Sequence, residues 1–324
     1  MSRRSRDRGW PDPPEPLPLP VVDNHTHLES VLEVPLPFPP SGTGSGEPWT
    51  TDHGPNLTGV AEGVGAQLRA ARAVGVTRMV QVGCDLEAAA WTDAAVREHP
   101  ALLGAVAIHP NEAVLHAGVR EVAPDGLEPD PRPRHEVPLD EAIAQVADLA
   151  RSNPRIRAIG ETGLDFFRAG PRGRAVQREA FRAHVALAKE LGLALQIHDR
   201  DAHDEVVEIL LADGAPERTV FHCFSGGAGL ARTAVAHGWY CSFAGPVSFP
   251  ANDELRAGLR EVPPVLLLAE TDAPYLTVHP FRGRPNAPYL LPGTVRAIAQ
   301  TTGRDLADVC RGLAATAESV YGTW

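Results

Sequence analysis

Short, almost continuously apolar runs recur along this chain near residues 20–27, 77–84, 102–109, 156–161, 193–198, 219–223, 239–244 and 264–270. Runs of this length and uniformity predict strands that are buried on both faces. Between most of them lie stretches rich in Ala, Leu, Glu and Arg, at 59–74, 86–98, 138–152, 174–191, 202–213 and 292–301. Their apolar positions repeat at the helical period. A final stretch, 304–320, predicts a helix packed on the outside. Strands alternating with helices predict a parallel sheet covered by helices, and eight such strands are the number that closes a (β/α)8 TIM barrel. An open, doubly wound sheet is the alternative α/β arrangement.

This pattern divides the chain into an Arg- and Pro-rich tail, 1–19, and a single barrel domain, 20–322. The tail's composition predicts no fold of its own. Two connections exceed the usual length of a βα loop: 30–57, rich in Pro, Gly and Ser, and 112–137, rich in Pro and charge. Both follow the C-terminal ends of strands, the face on which barrel enzymes build their sites. They are expected to act as lids or substrate loops, or to be plain surface elaboration.

Composition narrows the picture further. No run is long and apolar enough to span a bilayer, so no membrane partner is expected. The basic N-terminus lacks the apolar middle of a signal peptide. The four cysteines show no CxxC spacing, and Cys84, Cys223 and Cys241 sit in or beside apolar runs. Buried free thiols in a reducing cytoplasm are the simplest account. Strand alternation is expected to turn the Cys223 side chain away from that of His222. A net charge of −11 excludes a global basic field that would draw the protein onto nucleic acid, but it leaves room for a local anion site.

Candidate chemistry gathers where the apolar runs end. His25 and His27 are two residues apart on one predicted strand, so both imidazoles should face the same side, and Asp23 should join them there and orient a ligand. Glu161 closes the run Ile-Arg-Ala-Ile-Gly, where an unpartnered carboxylate would be costly to bury. Between two cations it would be neutralised and could bridge them. His198 and His222 end two successive strands, and Asp272 follows the last. A lone strand histidine is commonly a satisfied core residue, but six such groups at strand C-termini are hard to ascribe to packing. The mixed nitrogen and oxygen set suits Zn²⁺, Mn²⁺ or Mg²⁺. Lys189, the only lysine, lies inside a predicted helix, which makes a carbamylated lysine bridge implausible. Water held on divalent metal and attacking an ester is the chemistry such a cluster suits.

At this point the chain resembles the TatD family of metal-dependent deoxyribonucleases, within the amidohydrolase superfamily, over residues 20–322. The resemblance rests on Asp-Asn-His25-Thr-His27, Ala-Ile-His109-Pro, Gly-Glu161-Thr-Gly-Leu-Asp165-Phe-Phe, Gln-Ile-His198-Asp-Arg200, Phe-His222-Cys-Phe-Ser-Gly-Gly and Glu270-Thr-Asp272-Ala-Pro-Tyr-Leu. The segment Arg282-Gly-Arg284-Pro-Asn286 is similar to the family's RGK-x-N segment, with Arg for Lys. The resemblance implies two divalent ions, one held by His25, His27, Glu161 and Asp272 and the other by Glu161, His198 and His222. It also implies DNA as substrate, cleaved from the 3′ end, with single-stranded ends preferred because a frayed strand can thread into a barrel mouth. The long loops and the tail depart from the family pattern.

Within that reading Asp272 could accept the proton of the attacking water, while Glu161 bridges the ions. His109 is a candidate to contact the scissile phosphate or to position water, with a structural histidine as its alternative. Arg200, Arg282 and Arg284 match phosphate geometry, Asn286 belongs to the same loop, and Phe166, Phe167 and Phe224 could stack on a base, with core packing expected for at least one of them. Some of Arg168, Arg172, Arg174, Arg178 and Arg182 could line a DNA path, or form a solvated helix face. Competing functions are hydrolysis of a small ester, lactone or amide in the same barrel, or a catalytically idle scaffold. The sequence leaves the oligomeric state open, a monomer included.

Overall fold

The computed structural model describes residues 8–34 and 57–324. Eight strands pair in parallel in strict chain order. They are β1 Val21–Thr26, β2 Val76–Gly83, β3 Leu102–Val106, β4 Ile156–Asp165, β5 Ala194–Arg200, β6 Thr219–Phe221, β7 Tyr240–Phe243 and β8 Leu267–Ala269. The described helices are α1 Leu28–Leu32, α2 Leu57–Ala73, α3 Leu86–Glu98, α4 Pro110–His116, α5 Leu139–Ser152, α6 Pro171–Leu191, α7 His203–Asp213, α8 Ala228–Ala236, α9 Asp253–Glu261, α10 Leu291–Thr302 and α11 Leu306–Tyr321. This order is that of a (β/α)8 TIM barrel and rules out the doubly wound alternative, whose strand order reverses at a switch point.

Closure of the ring depends on the segment that follows β8. The Asp272 N–H donates to the His25 carbonyl at 3.0 Å, and the His27 N–H donates to the Ala273 carbonyl at 2.8 Å. Asp23, expected to orient a histidine, instead fastens the same seam. Its carboxylate accepts from the Thr271 backbone N–H at 2.9 Å and from the Thr271 hydroxyl at 2.5 Å. A register shift between Asp23 and Thr26 in β1 breaks the simple alternation on which the expectation rested.

Nearly every strand sends an apolar side chain to one interior cluster, among them Val22, Val80, Leu103, Ala158, Ala194, Val220 and Leu268. Helix α11 seals this cluster from the N-terminal end with Ala317, Val320 and Tyr321. The Tyr321 hydroxyl reaches Asn24 Oδ1 at 2.6 Å and receives a bond from Gln196 Nε2 at 2.7 Å. A buried tyrosine hydroxyl needs such partners, and they carry the last helix into contact with the first strand.

Four helices escape the periodicity reading because they are short: α1, α4, α8 and α9. Helix α4 has a start signal, with Pro110 in its first turn and His109 as its N-cap. It occupies the beginning of the stretch 112–137 that the sequence suggested was all loop. The rest of that connection is tied down. Arg134 pairs with Glu112 at 2.7 Å and with Glu87 at 3.0 Å, and His135 Nε2 lies 2.8 Å from Glu112. Of the other long connection, 35–56 lies outside the described residues.

The tail requires a correction. Residues 8–19 pack on the barrel, with Trp10 and Leu17 buried. The Arg284 guanidinium donates to the carbonyls of Gly9 and Trp10 at 2.7 and 2.5 Å, and the Tyr289 hydroxyl donates to the Pro11 carbonyl at 2.6 Å. Arg296 reaches the carbonyls of Glu15 and Pro16. Proline-rich chain holds an extended shape at little entropic cost, and its carbonyls remain free to accept. A composition too poor to build a core can therefore still cover one. Residues 1–7 lie outside the described set. Truncating Trp10 to Ala is expected to lower stability by about 3 kcal/mol, the usual cost of emptying a buried aromatic site. Chemical denaturation of Trp10→Ala checks this, and an unchanged midpoint would mean that the strap carries no weight.

Candidate metal centre

The C-terminal ends of β1, β4, β5 and β6, with the segment after β8, converge on Glu161. Its two carboxylate oxygens face different sets of histidines. Oε2 lies 3.4 Å from His25 Nε2 and 3.8 Å from His27 Nε2. Oε1 lies 2.6 Å from His198 Nδ1, 3.0 Å from His222 Nε2 and 3.4 Å from His109 Nε2. Asp272 Oδ1 joins the first set, 3.4 Å from His27 Nε2 and 3.9 Å from His25 Nε2. His25 and His27 face the same side as their spacing predicts, with Nε2 atoms 3.2 Å apart. Every residue proposed from sequence as a metal ligand is thus in the cluster.

Backbone geometry sets these positions. Gly163 has φ +144, and a Cβ there would collide with the His198 carbonyl, so only glycine lets β4 and β5 approach closely enough to bring Glu161 to His198. Asp272 adopts φ +52, a left-handed conformation uncommon for a residue with a side chain. The hydrogen bond from its N–H to His25 holds it there. His222 lies one residue beyond β6, and Cys223, at φ +40, leaves the strand conformation altogether. Alternation fails at that point. Burial, with the carboxylates of Asp272, Glu270 and Glu161, pushes the Cys223 thiol up.

The donors fit divalent metal. His27 Nδ1 is 3.0 Å from the Val82 carbonyl. Its proton goes to that carbonyl, which leaves a bare Nε2 lone pair directed at His25 Nε2, an arrangement that calls for a cation or a proton between them. His222 Nδ1 is likewise held by Glu270 Oε1 at 3.0 Å, which frees Nε2 toward Glu161. Among the described residues, the ion-pair partners of Glu161 and Asp272 are all histidines. Burial opposes charge on Glu161, yet His222 and His109 hold its carboxyl well below the usual range. Burial also opposes charge on His222 and His198. The Glu161 and Glu270 carboxylates nevertheless hold His222 well above the ordinary histidine value, and Asp165 and Glu161 raise His198 to about 9. In this geometry protons on imidazole balance the buried carboxylates, and divalent ions can take over that role.

Several residues close to the centre carried no assignment from sequence. Glu270 accepts from the Cys223 N–H at 2.7 Å as well as holding His222. Asn24 Nδ2 donates to Ser242 Oγ at 3.0 Å and lies 3.5 Å from Glu270 Oε2. A polar chain therefore runs from Tyr321 through Asn24 to Glu270 and His222. The Cys84 thiol lies 3.4 Å from Glu161 Oε2. Asp165 lies 3.3 Å from His198 Nε2, and burial of its carboxyl is outweighed by His198 and Asn111, which lower it to about 2.

The expected substrate contacts separate into two groups. His109 joins the cluster through Nε2 while its Nδ1 accepts from the Asn111 N–H at 3.1 Å. It caps α4 rather than ending β3. Arg200 is exposed and lies 3.9 Å over the ring of Phe167, which is 37% exposed. Arg282 is exposed and lies 4.5 Å over Phe249. Four side chains are engaged within the fold instead. Phe166 is buried under Arg174 and Arg178, so Phe167, one residue on, is the ring at the surface. Phe224 is buried against Phe221 and Phe243. The Arg284 guanidinium holds the N-terminal strap, and Asn286 Nδ2 donates to the Thr271 and Tyr275 carbonyls, shaping the loop beyond Asp272. Most of the arginines after Glu161 also have partners: Arg168 with Asp125, Arg174 with the Phe166 and Ala169 carbonyls, Arg178 with Glu205 and Arg182 with Asp213.

Comparison with known proteins places this geometry in context. Residues 22–322 match the family model described as TatD related DNase. The chain is 40% identical over 266 residues to an uncharacterized metal-dependent hydrolase, TatD, of Mycobacterium tuberculosis, covering 81% of this chain and 92% of that one. It is 34% identical over 244 residues to a protein of Cronobacter sakazakii named as a 3′-5′ ssDNA/RNA exonuclease, covering 72% of this chain and 82% of that one. The crystal structure of a TatD homologue from Escherichia coli superposes with TM-score 0.72 at 21% identity, covering 93% of this chain and 97% of that one.

Removing the carboxylate that holds the His222 tautomer should weaken metal binding. For Glu270→Gln we expect affinity to fall roughly 10- to 100-fold, as is typical for the partners of metal-ligating histidines. Competition against a chromogenic chelator measures this, and an unchanged affinity would remove Glu270 from the metal centre.

Proposed function

The chain belongs to the TatD family of metal-dependent hydrolases, and from that premise we propose that it is a deoxyribonuclease acting as a 3′-5′ exonuclease on single-stranded DNA ends. The observation that carries this reading is the division of Glu161: one carboxylate oxygen faces His25 and His27, the other His198 and His222. This arrangement suits two divalent ions, Mg²⁺, Mn²⁺ or Zn²⁺, with Glu161 between them. His25, His27 and Asp272 would complete one position, and His198 and His222 the other. Divalent ions bound there supply Lewis acidity and acidify the attacking water.

The protein's own groups do the rest. Asp272, fixed by its left-handed backbone beside His27, accepts the proton of the attacking water. His109, within reach of Glu161 Oε1 and only partly exposed, contacts the scissile phosphate. Arg200 and Phe167 present charge and a π face together at the surface, a pairing suited to a phosphate and its neighbouring base. The name of the Cronobacter relative adds support for direction and strandedness. So does shape: ligands that converge at strand ends inside a barrel admit a frayed strand more readily than a stiff duplex. Residues of the hydrolytic centre do not by themselves choose a phosphodiester over a lactone or carboxylic ester, so both classes of substrate enter the test.

Metal-reconstituted protein is expected to contain about two divalent ions per chain, and Glu161→Ala to lose occupancy at both positions. Elemental analysis decides, and full occupancy in the variant would exclude the bridge. Asp272→Asn should nearly abolish turnover while keeping the fold, because the amide preserves shape but not basicity. Equal turnover across neutral pH would release Asp272 from the role of base. With 3′- and 5′-labelled oligonucleotides, stepwise shortening from the 3′ side of single strands is expected. Early internal cuts, or equal rates on blunt duplex, would overturn the threading argument. Turnover of a lactone or ester with no cleavage of nucleic acid under any of the three metals would replace the nuclease reading.

A further inference from the structure

The family match begins at residue 22, so the strap at 8–19 lies outside it. Arg8, at the start of that strap, lines a cavity of about 840 Å³ together with Phe249, Leu276, Thr277, Arg282 and Arg284. Pro274 also lines it. This residue follows Asp272 by two positions, so its Cα lies within about 8 Å of that of the proposed base. Its chemistry differs from that of the metal centre. Phe249 and Leu276 offer an apolar surface, Leu276 being 40% exposed, and the exposed Arg8 and Arg282 supply positive charge.

The walls are held in shape by contacts already formed. The Thr277 hydroxyl donates to the Arg284 carbonyl at 2.5 Å, which closes the loop on itself. Gly245 packs so tightly against this loop that a Cβ would strike the Leu276 carbonyl. Arg284 has its guanidinium on the strap carbonyls and thereby sets where Arg8, one residue before Gly9, can stand. Arg282 lies flat over Phe249 at 4.5 Å, an arrangement that leaves the guanidinium edge free to meet an anion.

We propose that this cavity is a nucleotide subsite, built jointly by the N-terminal strap and the loop after β8, that holds the nucleotide flanking the scissile phosphodiester. The base lies against Phe249 and Leu276, and the phosphate meets Arg8 and Arg282. A volume of this size accommodates one nucleotide unit. A ligand with a planar apolar part and an anionic part satisfies both halves of the lining, whereas inorganic phosphate would leave the apolar half unused. The inference rests on the phosphodiesterase reading, and it adds a determinant of substrate length that the hydrolytic centre lacks.

The test compares bis(p-nitrophenyl) phosphate, too short to fill the cavity, with oligothymidylates of increasing length. Arg8→Glu and Phe249→Leu alter opposite walls. Each is expected to raise KM for the oligonucleotides roughly fivefold or more relative to any change on the small diester. Arg8→Glu should also flatten the salt dependence of oligonucleotide binding by about 0.7 in logarithmic slope, the share of one single-strand phosphate contact. Equal effects on long and short substrates in both variants, or none on either, would overturn the subsite while leaving the nuclease reading intact. If the protein cleaves no phosphodiester, the nuclease reading fails and the cavity is judged by binding alone. Fluorescence anisotropy of labelled oligothymidylate must then fall in both variants, and affinity equal to that of the unaltered protein would overturn the proposal.

Discussion

Everything at the mouth of this barrel depends on the cost of burying carboxylates without a fixed cation. Glu161 and Glu270 lie in the barrel's interior, and Asp272 at its edge, all but enclosed. The usual remedy for a buried carboxylate is a lysine or arginine, and here the role falls to imidazoles. Histidine is the one side chain that can give up its charge near neutral pH, so a cluster balanced by imidazolium can exchange its protons for metal with little rearrangement. A site built on Arg–carboxylate pairs would be satisfied permanently and closed to metal. The same constraint explains the supporting bonds. Val82 and Glu270 each hold one ring nitrogen of a histidine, so that the other keeps a free lone pair.

The seam between first and last strands serves fold and site at once. Asp23 and Thr271 join β1 to the segment after β8, and the next residue along is Asp272. Closure of the barrel is thus the event that delivers Asp272 to His25 and His27. An arrangement in which the ring opened at this seam would separate the proposed base from its neighbours. The polar chain from Tyr321 to His222 adds a second dependence, because the outermost helix reaches the same ligands through Asn24 and Glu270.

The barrel and its central cluster were legible in sequence for a simple reason. Apolar runs mark strands, and a ligand residue immediately after such a run has one place to go. His25, His27, Glu161, His198, His222 and Asp272 all obey that rule. What escaped notice depends on departures from regular backbone or on pairings far apart in sequence. Cys84 reads as the end of an apolar strand, and its nearness to Glu161 arises only from the curvature of the ring. Cys223 was expected to point away because alternation was assumed past the end of β6. Phe166 and Phe167 differ by one position, and β4 ends just before them at Asp165, so strand alternation does not decide which ring is inside. Arg284 looked like a phosphate ligand because the strap that it holds looked unfolded by composition. Carbonyls that accept hydrogen bonds leave no trace in residue identity.

The hydrogen bond between Tyr321 and Asn24 joins residues 297 positions apart. During synthesis the histidines of β1 leave the ribosome well before the group that completes the support beneath them. An emerging chain therefore carries these candidate ligands through the synthesis of all eight strands without the scaffold that gives them their geometry. Hydrolytic competence would arrive only with the folding of α11, so chains that stop short of it would be poor hydrolases even when every strand of the barrel has been made.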